Sequence, residues 1–125
     1  MANHFFTERE LDVMSILWRL GSATVTQVRD ELTDELAYTS VLSALQTLEE
    51  KGYVRHEQEG RAYRYHPQVG PREAGRSAVG RILEKVYQGS AELMLAQLVE
   101  GRGLTKEELK RMQQLLEKRL KGGKP

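Results

Sequence analysis

The sequence contains no cysteine, which excludes disulfide bonds, thiolate metal sites and a cysteine nucleophile together. Long apolar runs are also missing, and no window approaches the roughly 18 to 20 apolar residues of a membrane span. The first residues, Met-Ala-Asn-His-Phe-Phe, lack the basic start and apolar run of a signal peptide. These absences predict a cytoplasmic protein that does not insert into a membrane. A chain of 125 residues has room for one domain, or for one small domain with an appended assembly segment.

Catalytic and metal-binding motifs are missing as well. The sequence has no Gly-rich phosphate loop, no HExxH motif and no nucleophile beside a base, and its paired carboxylates fall on charged helix faces. The three histidines, His4, His56 and His66, are too scattered to suggest a zinc site. We therefore expect no enzymatic activity, no metal and no other cofactor.

Positive charge is scarce in the first part of the chain. Residues 1–70 contain 7 Lys and Arg against 11 Asp and Glu, whereas residues 71–125 contain 12 against 7, so the net charges are −4 and +5. The acidic first part counts against nucleic-acid binding, because phosphate neutralisation supplies much of the affinity for DNA. Its later basic residues bunch at Arg55, Arg61 and Arg64.

Helix signals open the chain. Thr7 and Glu10 form a capping-box pattern at the start of a first helix, which Gly21 is placed to end. Six large apolar residues predict a broad buried face for this helix: Leu11, Met14, Ile16, Leu17, Trp18 and Leu20. Thr24 is the expected cap of a shorter second helix that runs to about Leu32. A third helix follows at about residues 38–51.

The third predicted helix has two different faces. Four apolar residues recur at helical spacing and predict a buried side: Val41, Leu42, Leu45 and Leu48. The other side carries short, uncharged hydrogen-bonding groups: Thr39, Ser40, Ser43, Gln46 and Thr47. Glutamine can pair with adenine in the major groove, and a threonine methyl can contact the thymine methyl. A core helix with an ordinary Ser and Thr surface stays open as the alternative from this stretch alone.

A β-hairpin is predicted next, from residues 53–58 and 62–66, with Glu59-Gly60-Arg61 as the turn. Three helices followed by such a hairpin is the order of a winged helix-turn-helix, in which the third helix enters the major groove and the wing lies along phosphates. We expect Arg61, beside the turn glycine, to contact DNA. The alternative is a hairpin that merely covers the edge of the core.

Behind a break at residues 67–71 the chain is predicted to be helical in three segments with one apolar stripe each. The first runs from about Arg72 to Gln88 and the second from Ala91 to Glu100. The third begins at a capping-box pattern of Thr105 and Glu108, and a Lys- and Gly-rich tail follows it at residues 121–125.

Such helices cannot bury their stripes against a small separate domain, so they need a partner, and a symmetric homodimer is the commonest solution. We assign residues 1–70 to a winged helix-turn-helix DNA-binding domain and 71–125 to helical homodimerisation, a mainly α fold with a small β-hairpin. The expected dimerisation residues are Val79, Ile82, Val86, Leu93, Leu98, Leu109, Met112 and Leu116.

Several segments, in order along nearly the whole chain, match one known family. They are residues 7–18 (Thr-Glu-Arg-Glu-Leu-Asp-Val-Met-Ser-Ile-Leu-Trp), 36–42 (Leu-Ala-Tyr-Thr-Ser-Val-Leu), 45–48 (Leu-Gln-Thr-Leu), 51–54 (Lys-Gly-Tyr-Val), 60–65 (Gly-Arg-Ala-Tyr-Arg-Tyr), 85–87 (Lys-Val-Tyr), 98–100 (Leu-Val-Glu) and 104–109 (Leu-Thr-Lys-Glu-Glu-Leu). The chain thereby resembles the penicillinase repressor family, the BlaI/MecI/CopY type of bacterial transcriptional repressor. The resemblance implies a dimeric winged-helix repressor that binds an operator inverted repeat in double-stranded DNA and whose C-terminal helices interlock with the partner's.

The resemblance also implies individual DNA contacts. By position they fall on Thr39, Ser40, Ser43 and Thr47 of the recognition helix and on Arg61 of the wing, with Thr24 and Gln27 near phosphates at the second helix. Many relatives carry a basic residue where Thr47 stands. Either the affinity is therefore lower here, or the wing and the basic C-terminal half make up the difference.

The resemblance leaves the inducing signal open. In β-lactam-responsive members a membrane-bound sensor protease system leads to cleavage at an Asn-Phe-type bond, and the pair at that position here is Gln97-Leu98. Copper-responsive members end in a Cys-rich metal motif, which a chain without cysteine cannot provide. Gating by a small molecule in the C-terminal helices is another route. A winged helix that binds protein instead of DNA is the remaining alternative, since that fold is reused for scaffolding and residues 1–70 are acidic.

Overall fold

The computed structural model describes residues 5–101 and 103–122, so His4 and the end of the predicted C-terminal tail lie outside the described residues. Within these ranges the elements are α1 (Glu8–Leu20), β1 (Ala23–Thr24), α2 (Val25–Glu31), α3 (Tyr38–Glu50), β2 (Val54–Glu59), β3 (Ala62–Pro67), α4 (Pro71–Lys85), α5 (Ala91–Gly101) and α6 (Lys106–Leu120). The predicted order of three helices, a hairpin and further helices is confirmed.

Two compact units make up the chain, Met1–Arg81 and Ile82–Pro125. The division falls inside α4, whereas the predicted change of role at residue 71 falls at the first residue of this helix. This division reflects how compactly each part is folded. The assignment of DNA binding to residues 1–70 and of dimerisation to residues 71–125 stays a prediction. No helix in the described ranges combines the length and the apolar character that crossing a membrane requires.

The first two helices begin with reciprocal caps. The Thr7 hydroxyl accepts from the Glu10 amide at 3.1 Å, and the Glu10 carboxylate accepts from the Thr7 amide at 2.8 Å. Thr24 and Gln27 repeat this arrangement at the start of α2. Gly21 ends α1 with a φ of +86°, a conformation that favours glycine. The caps predicted from the sequence are confirmed.

A strand that the sequence did not predict completes the sheet. Ala23, expected only to link two helices, and Thr24, expected only to cap α2, together form β1, which pairs antiparallel with β3 opposite Tyr65 and Arg64. The sheet order is β1-β3-β2. Two residues are too few to show an alternating pattern, and their strand conformation depends on a partner about 40 residues away.

The core of the first unit lies between α1, α2, α3 and the sheet. Its fully buried residues include Val13, Met14 and Leu17 of α1. The broad buried face predicted for α1 is partly wrong, because Leu11 and Leu20 are 38% and 44% exposed. The apolar stripe that is covered is narrower than the one the sequence suggests. The buried side of α3 is confirmed for Val41, Leu45 and Leu48, whereas Leu42 is only half-buried.

The later helices have little buried surface of their own. In α4 the one buried residue is Ala74, and α5 and α6 have none in the part of each that the structure describes. Helix α4 ends at Lys85, a few residues before the predicted end, and Gln88 and Gly89 then adopt φ values of +52° and +84°. Thr105 and Glu108 form the predicted capping box of α6.

Candidate nucleic-acid interface

The exposed side of α3 consists of the uncharged residues that the sequence singled out. Thr39, Ser40, Ser43, Gln46 and Thr47 are all exposed, while the opposite side of the helix is buried in the core. The Thr47 hydroxyl donates to the Ser43 carbonyl at 3.0 Å, which leaves its methyl group and oxygen lone pairs for an external contact. This side of α3 therefore presents small donors, acceptors and methyl groups to solvent.

The N-terminal end of α3 differs from those of α1, α2 and α6. Its cap residue, Ala37, makes no side-chain hydrogen bond, whereas threonines cap the other three. Its first turn, like that of α2, carries no acidic residue. The first amides of a helix have no partner within the helix, and together with the helix dipole they favour an anion. The start of α3 can therefore accept a phosphate oxygen near the side chains that would contact bases.

An ion pair between an exposed lysine and a buried carboxylate holds the other end of α3. Lys51, which follows the helix, donates to both carboxylate oxygens of Glu10 at 2.9 Å, and Glu10 is only 5% exposed. Burial by itself raises the pKa of Glu10, but the hydrogen bonds from Lys51 and Thr7 and the Lys51 charge outweigh this, so its pKa is lowered. The C-terminal end of α3 is thereby fixed to the start of α1.

The wing is tied to α3 through Glu49 and His56. The Glu49 carboxylate accepts from the His56 backbone amide at 3.2 Å and lies 2.7 Å from His56 Nδ1. The His56 ring also packs against Tyr63 and Tyr65, with ring centroids 5.2 and 5.4 Å apart. These contacts set the position of the hairpin relative to the exposed side of α3.

Arg61 lies at the turn of the wing. It follows Gly60, whose φ of +63° makes the turn, and its side chain is exposed. Within residues 5–70, Arg61 is the one Lys or Arg without a carboxylate partner, since six of the seven cations of this region form ion pairs. The pairs are Arg9 with Asp34, Arg19 with Glu31, Arg29 with Asp30, Lys51 with Glu10, Arg55 with Glu57 and Arg64 with Glu59.

At the start of α2, Thr24 and Gln27 already bond to each other. The Gln27 side-chain oxygen accepts from the Thr24 amide at 2.8 Å, and the Thr24 hydroxyl accepts from the Gln27 amide at 3.2 Å. The exposed Gln27 still has its side-chain NH₂ group to donate, which is what a phosphate contact requires. Their place near phosphates stays a prediction.

Sequence reasoning missed the residues that position this surface. Glu10 was recognised only as a cap of α1, and its bond to Lys51, 41 residues away, was missed. Glu49 and His56, which are 7 residues apart, were not recognised. Tyr38, the first residue of α3, is 37% exposed beside Thr39 and was also missed. Its place at the start of a predicted recognition helix was the one available signal.

The two histidines that the structure describes have different surroundings. His56 is paired with Glu49, whereas His66 has a buried Nε2 atom without a hydrogen-bond partner among the described residues. Neither belongs to a group of three or more His, Asp or Glu side chains placed to hold a metal ion, within the ranges that the structure covers.

The residues predicted at a dimer interface are accessible. Seven of them are between 39% and 64% exposed, and Met112 is half-buried. The exposed seven are Val79, Ile82, Val86, Leu93, Leu98, Leu109 and Leu116.

The Gln97-Leu98 pair, the position of a possible cleavage, lies inside α5. The Gln97 side-chain oxygen accepts a hydrogen bond from the Tyr87 hydroxyl.

The chain is similar to known repressors over most of its length. A sequence model of the penicillinase repressor family matches residues 6–118. The penicillinase repressor of Bacillus licheniformis is 26% identical over 113 residues, which cover 89% of this chain and 88% of that protein. The solved DNA-binding domain of the repressor BlaI matches 56% of this chain and 88% of its own, with 28% identity and a TM-score of 0.51. A MarR family protein from Bacillus stearothermophilus matches 96% of this chain and 76% of its own at a TM-score of 0.52 and 19% identity, a likeness of fold alone.

Proposed function

The chain belongs to the penicillinase repressor family of DNA-binding transcriptional repressors, and we propose that it represses transcription as a homodimer bound to an inverted-repeat operator. The observation that carries the proposal is the exposed, uncharged side of α3. In the same domain Arg61, the one cation among residues 5–70 without a carboxylate partner, lies at the tip of the wing. In this proposal α3 selects the sequence and Arg61 contacts a phosphate. The protein then acts in the cytoplasm, where the operator is.

The choice of bases falls to Thr39, Ser40, Ser43, Gln46 and Thr47. Hydroxyl and amide groups discriminate base edges in the major groove without adding charge, so they contribute to specificity more than to affinity. Thr24 and Gln27 are proposed to lie near phosphates at the start of α2. From Tyr38 to Thr47 the helix has no charge, so a single half-site contact would be weak.

Dimerisation supplies the second half-site. The C-terminal helices expose apolar side chains on surfaces that ordinary monomers keep covered, and burying them against a second copy is favourable by about 25 cal/mol per Å². Two copies related by a two-fold axis would match an inverted repeat. Residues 71–125 are therefore proposed as the dimerisation region.

Selection from a pool of random duplexes tests the proposal directly. The full chain should enrich a two-fold symmetric sequence, and its retention should fall steeply between about 50 and 200 mM salt. The dimer should be visible at the same concentrations by sedimentation. Failure to retain any duplex at low salt would refute DNA binding.

A protein-binding winged helix is the second candidate. The observation that favours it is that six of the seven cations in residues 1–70 are engaged by carboxylates, in a region with a net charge of −4. Such a module would bind a partner protein and show no enrichment of any DNA sequence. The same selection experiment therefore separates the two functions.

The inducing signal has two candidate routes. Proteolysis through a membrane sensor partner would have to cut between Gln97 and Leu98, inside α5, so this helix would have to unwind locally first. Gating by a small molecule bound to the C-terminal helices would instead raise the melting temperature of the protein. Cleavage of the chain at this bond by a membrane-bound protease would support the first route, and a rise in melting temperature with a candidate ligand would support the second.

A further inference from the structure

The two strands of the wing place charged residues on one face. In the register of the hairpin, Glu57 lies opposite Arg64 and Arg55 lies opposite His66. Directly opposite residues share a face of an antiparallel pair, and alternate residues along a strand return to that face. Glu59 therefore belongs to the same face, which carries two arginines and two carboxylates.

Arg64 is held tightly by Glu59. Its Nε and Nη2 atoms each donate to one Glu59 carboxylate oxygen at 3.0 Å, and its Nη1 atom donates to the Ser22 hydroxyl at 3.2 Å. Fork-to-fork pairs of this kind are among the stronger surface ion pairs. The hydrogen bond from Arg64 lowers the pKa of Glu59, and the same bond raises the pKa of Arg64.

Arg55, on the neighbouring strand, is also paired with a carboxylate, through one hydrogen bond instead of two. Its guanidinium donates to the Glu57 carboxylate, and this bond lowers the pKa of Glu57. Both arginines that flank Arg61 in the sequence are therefore paired with wing carboxylates. Arg61 keeps its charge free at the turn between them.

Pairing Arg64 and Arg55 with carboxylates is expected to lower the affinity for random DNA more than the affinity for an operator. A complex with random DNA takes whichever register brings most cations to phosphates, because charge supplies nearly all of its affinity. In an operator complex the base contacts of α3 fix the register, so an added cation contributes only where a phosphate happens to lie within reach. An unpaired Arg64 would thus strengthen random binding more than operator binding.

We propose that Glu59 and Glu57 are specificity-determining residues, which hold Arg64 and Arg55 away from phosphates and so suppress binding to random DNA. This inference rests on the proposed DNA-binding function and deepens it. Neither carboxylate needs to contact DNA. Each acts through the arginine that it holds.

The test measures how the affinity for one random-sequence duplex depends on salt, and compares the wild type with variants of the wing. Glu59→Gln keeps the shape of the side chain and removes its charge, so Arg64 is released and the slope of log affinity against log salt should steepen by about 0.9 per wing. The double variant Glu59→Gln with Arg64→Gln should return to the wild-type slope. Glu57→Gln should give a similar increase through Arg55, which provides an independent second site.

Asp12→Asn is the matched control. It removes the same single negative charge but releases no cation, because Arg9 keeps Asp34 at 2.8 Å. Its slope should equal that of the wild type. The duplex enriched by selection serves as the operator. The ratio of the affinity for this operator to the affinity for the random duplex should fall in Glu59→Gln and stay unchanged in Asp12→Asn.

The outcomes are distinguishable. Equal slopes for wild type, Asp12→Asn and both glutamate variants would overturn this inference while leaving DNA binding intact. A steeper slope that persists in the double variant would also overturn it, because Arg64 could not then be the cause. A wild-type chain that retains no duplex at low salt would instead overturn the proposed function.

Discussion

Glu10, in the first turn of α1, and Lys51, just after α3, are joined by two hydrogen bonds of 2.9 Å although they are 41 residues apart. Glu10 also completes the cap of α1 through Thr7. One carboxylate thus fixes the start of one helix and the end of another. The uncharged side of α3 can act as a rigid surface because its C-terminal end is anchored in this way.

Loss of this carboxylate charge should destabilise the fold. In Glu10→Gln the amide oxygen can still accept from Thr7, but the charged bond from Lys51 is lost, and we expect a decrease of about 2 kcal/mol in the free energy of unfolding. Urea titration of both proteins measures the difference. Asp12→Asn, on the exposed side of the same helix, should change it by less than about 0.5 kcal/mol. Equal changes in the free energy of unfolding for Glu10→Gln and Asp12→Asn would show that the pair of Glu10 and Lys51 does not stabilise the fold more than an exposed charge does.

The same pair predicts a pH dependence. Because the folded pKa of Glu10 lies below its ordinary value of 4.5, the stability that it contributes is fully present above pH 4.5. It should be lost as the pH falls below 4.5 and through the folded pKa. The difference in unfolding free energy between wild type and Glu10→Gln should therefore be constant near neutral pH and shrink towards pH 3. A difference that grows on acidification would contradict the assigned direction.

Local patterns predicted much of the fold, and distant pairings explain the rest. The caps at Thr7, Thr24 and Thr105 each need only a residue three positions further on, so the sequence displays them directly. The strand β1 exists only because β3 lies beside it, and two residues give no periodic signal.

The candidate site shows the same division between local and distant information. The uncharged residues of α3 were visible because helical spacing collects them on one side. Arg55, Arg61 and Arg64, in contrast, look equivalent in the sequence. Only the folded chain shows that carboxylates pair with Arg55 and Arg64, whereas Arg61 has no such partner among the described residues.

Arg61→Ala should weaken binding to all DNA. Since Arg61 is proposed to contact a phosphate, affinity for operator and random duplexes should fall by a similar factor, and the salt slope should decrease by about 0.9 per wing. Filter binding across a salt series measures both. Arg19→Ala, which removes a cation already paired with Glu31, is the control and should leave the slope unchanged. A loss confined to the operator would assign Arg61 to base recognition instead.

Ser43→Ala should act on specificity. Its exposed hydroxyl is proposed to contact a base edge, so its removal should cost about 1 kcal/mol, roughly fivefold, in operator affinity and leave random binding nearly unchanged. Thr39→Ala should behave similarly. Ser15→Ala serves as the control, because Ser15 lies on the exposed side of α1 and its hydroxyl donates to the Asp12 backbone carbonyl. Equal losses on operator and random duplexes would contradict the assignment of these residues to base recognition.

A charge on the apolar stripe of α6 should prevent the proposed dimer from forming. Leu116 is 51% exposed in the single chain, and burying a carboxylate there against a second copy is strongly unfavourable, so Leu116→Glu should sediment as a monomer at micromolar concentration. Ile82→Glu should do the same from α4. Gln114→Glu adds the same charge on the opposite side of α6 and should remain dimeric. In the proposed two-fold complex a monomer would contact one half-site, so Leu116→Glu should also lose operator affinity while a single half-site duplex is bound as by wild type. A wild-type chain that is itself monomeric at this concentration would remove the basis for the two-fold model.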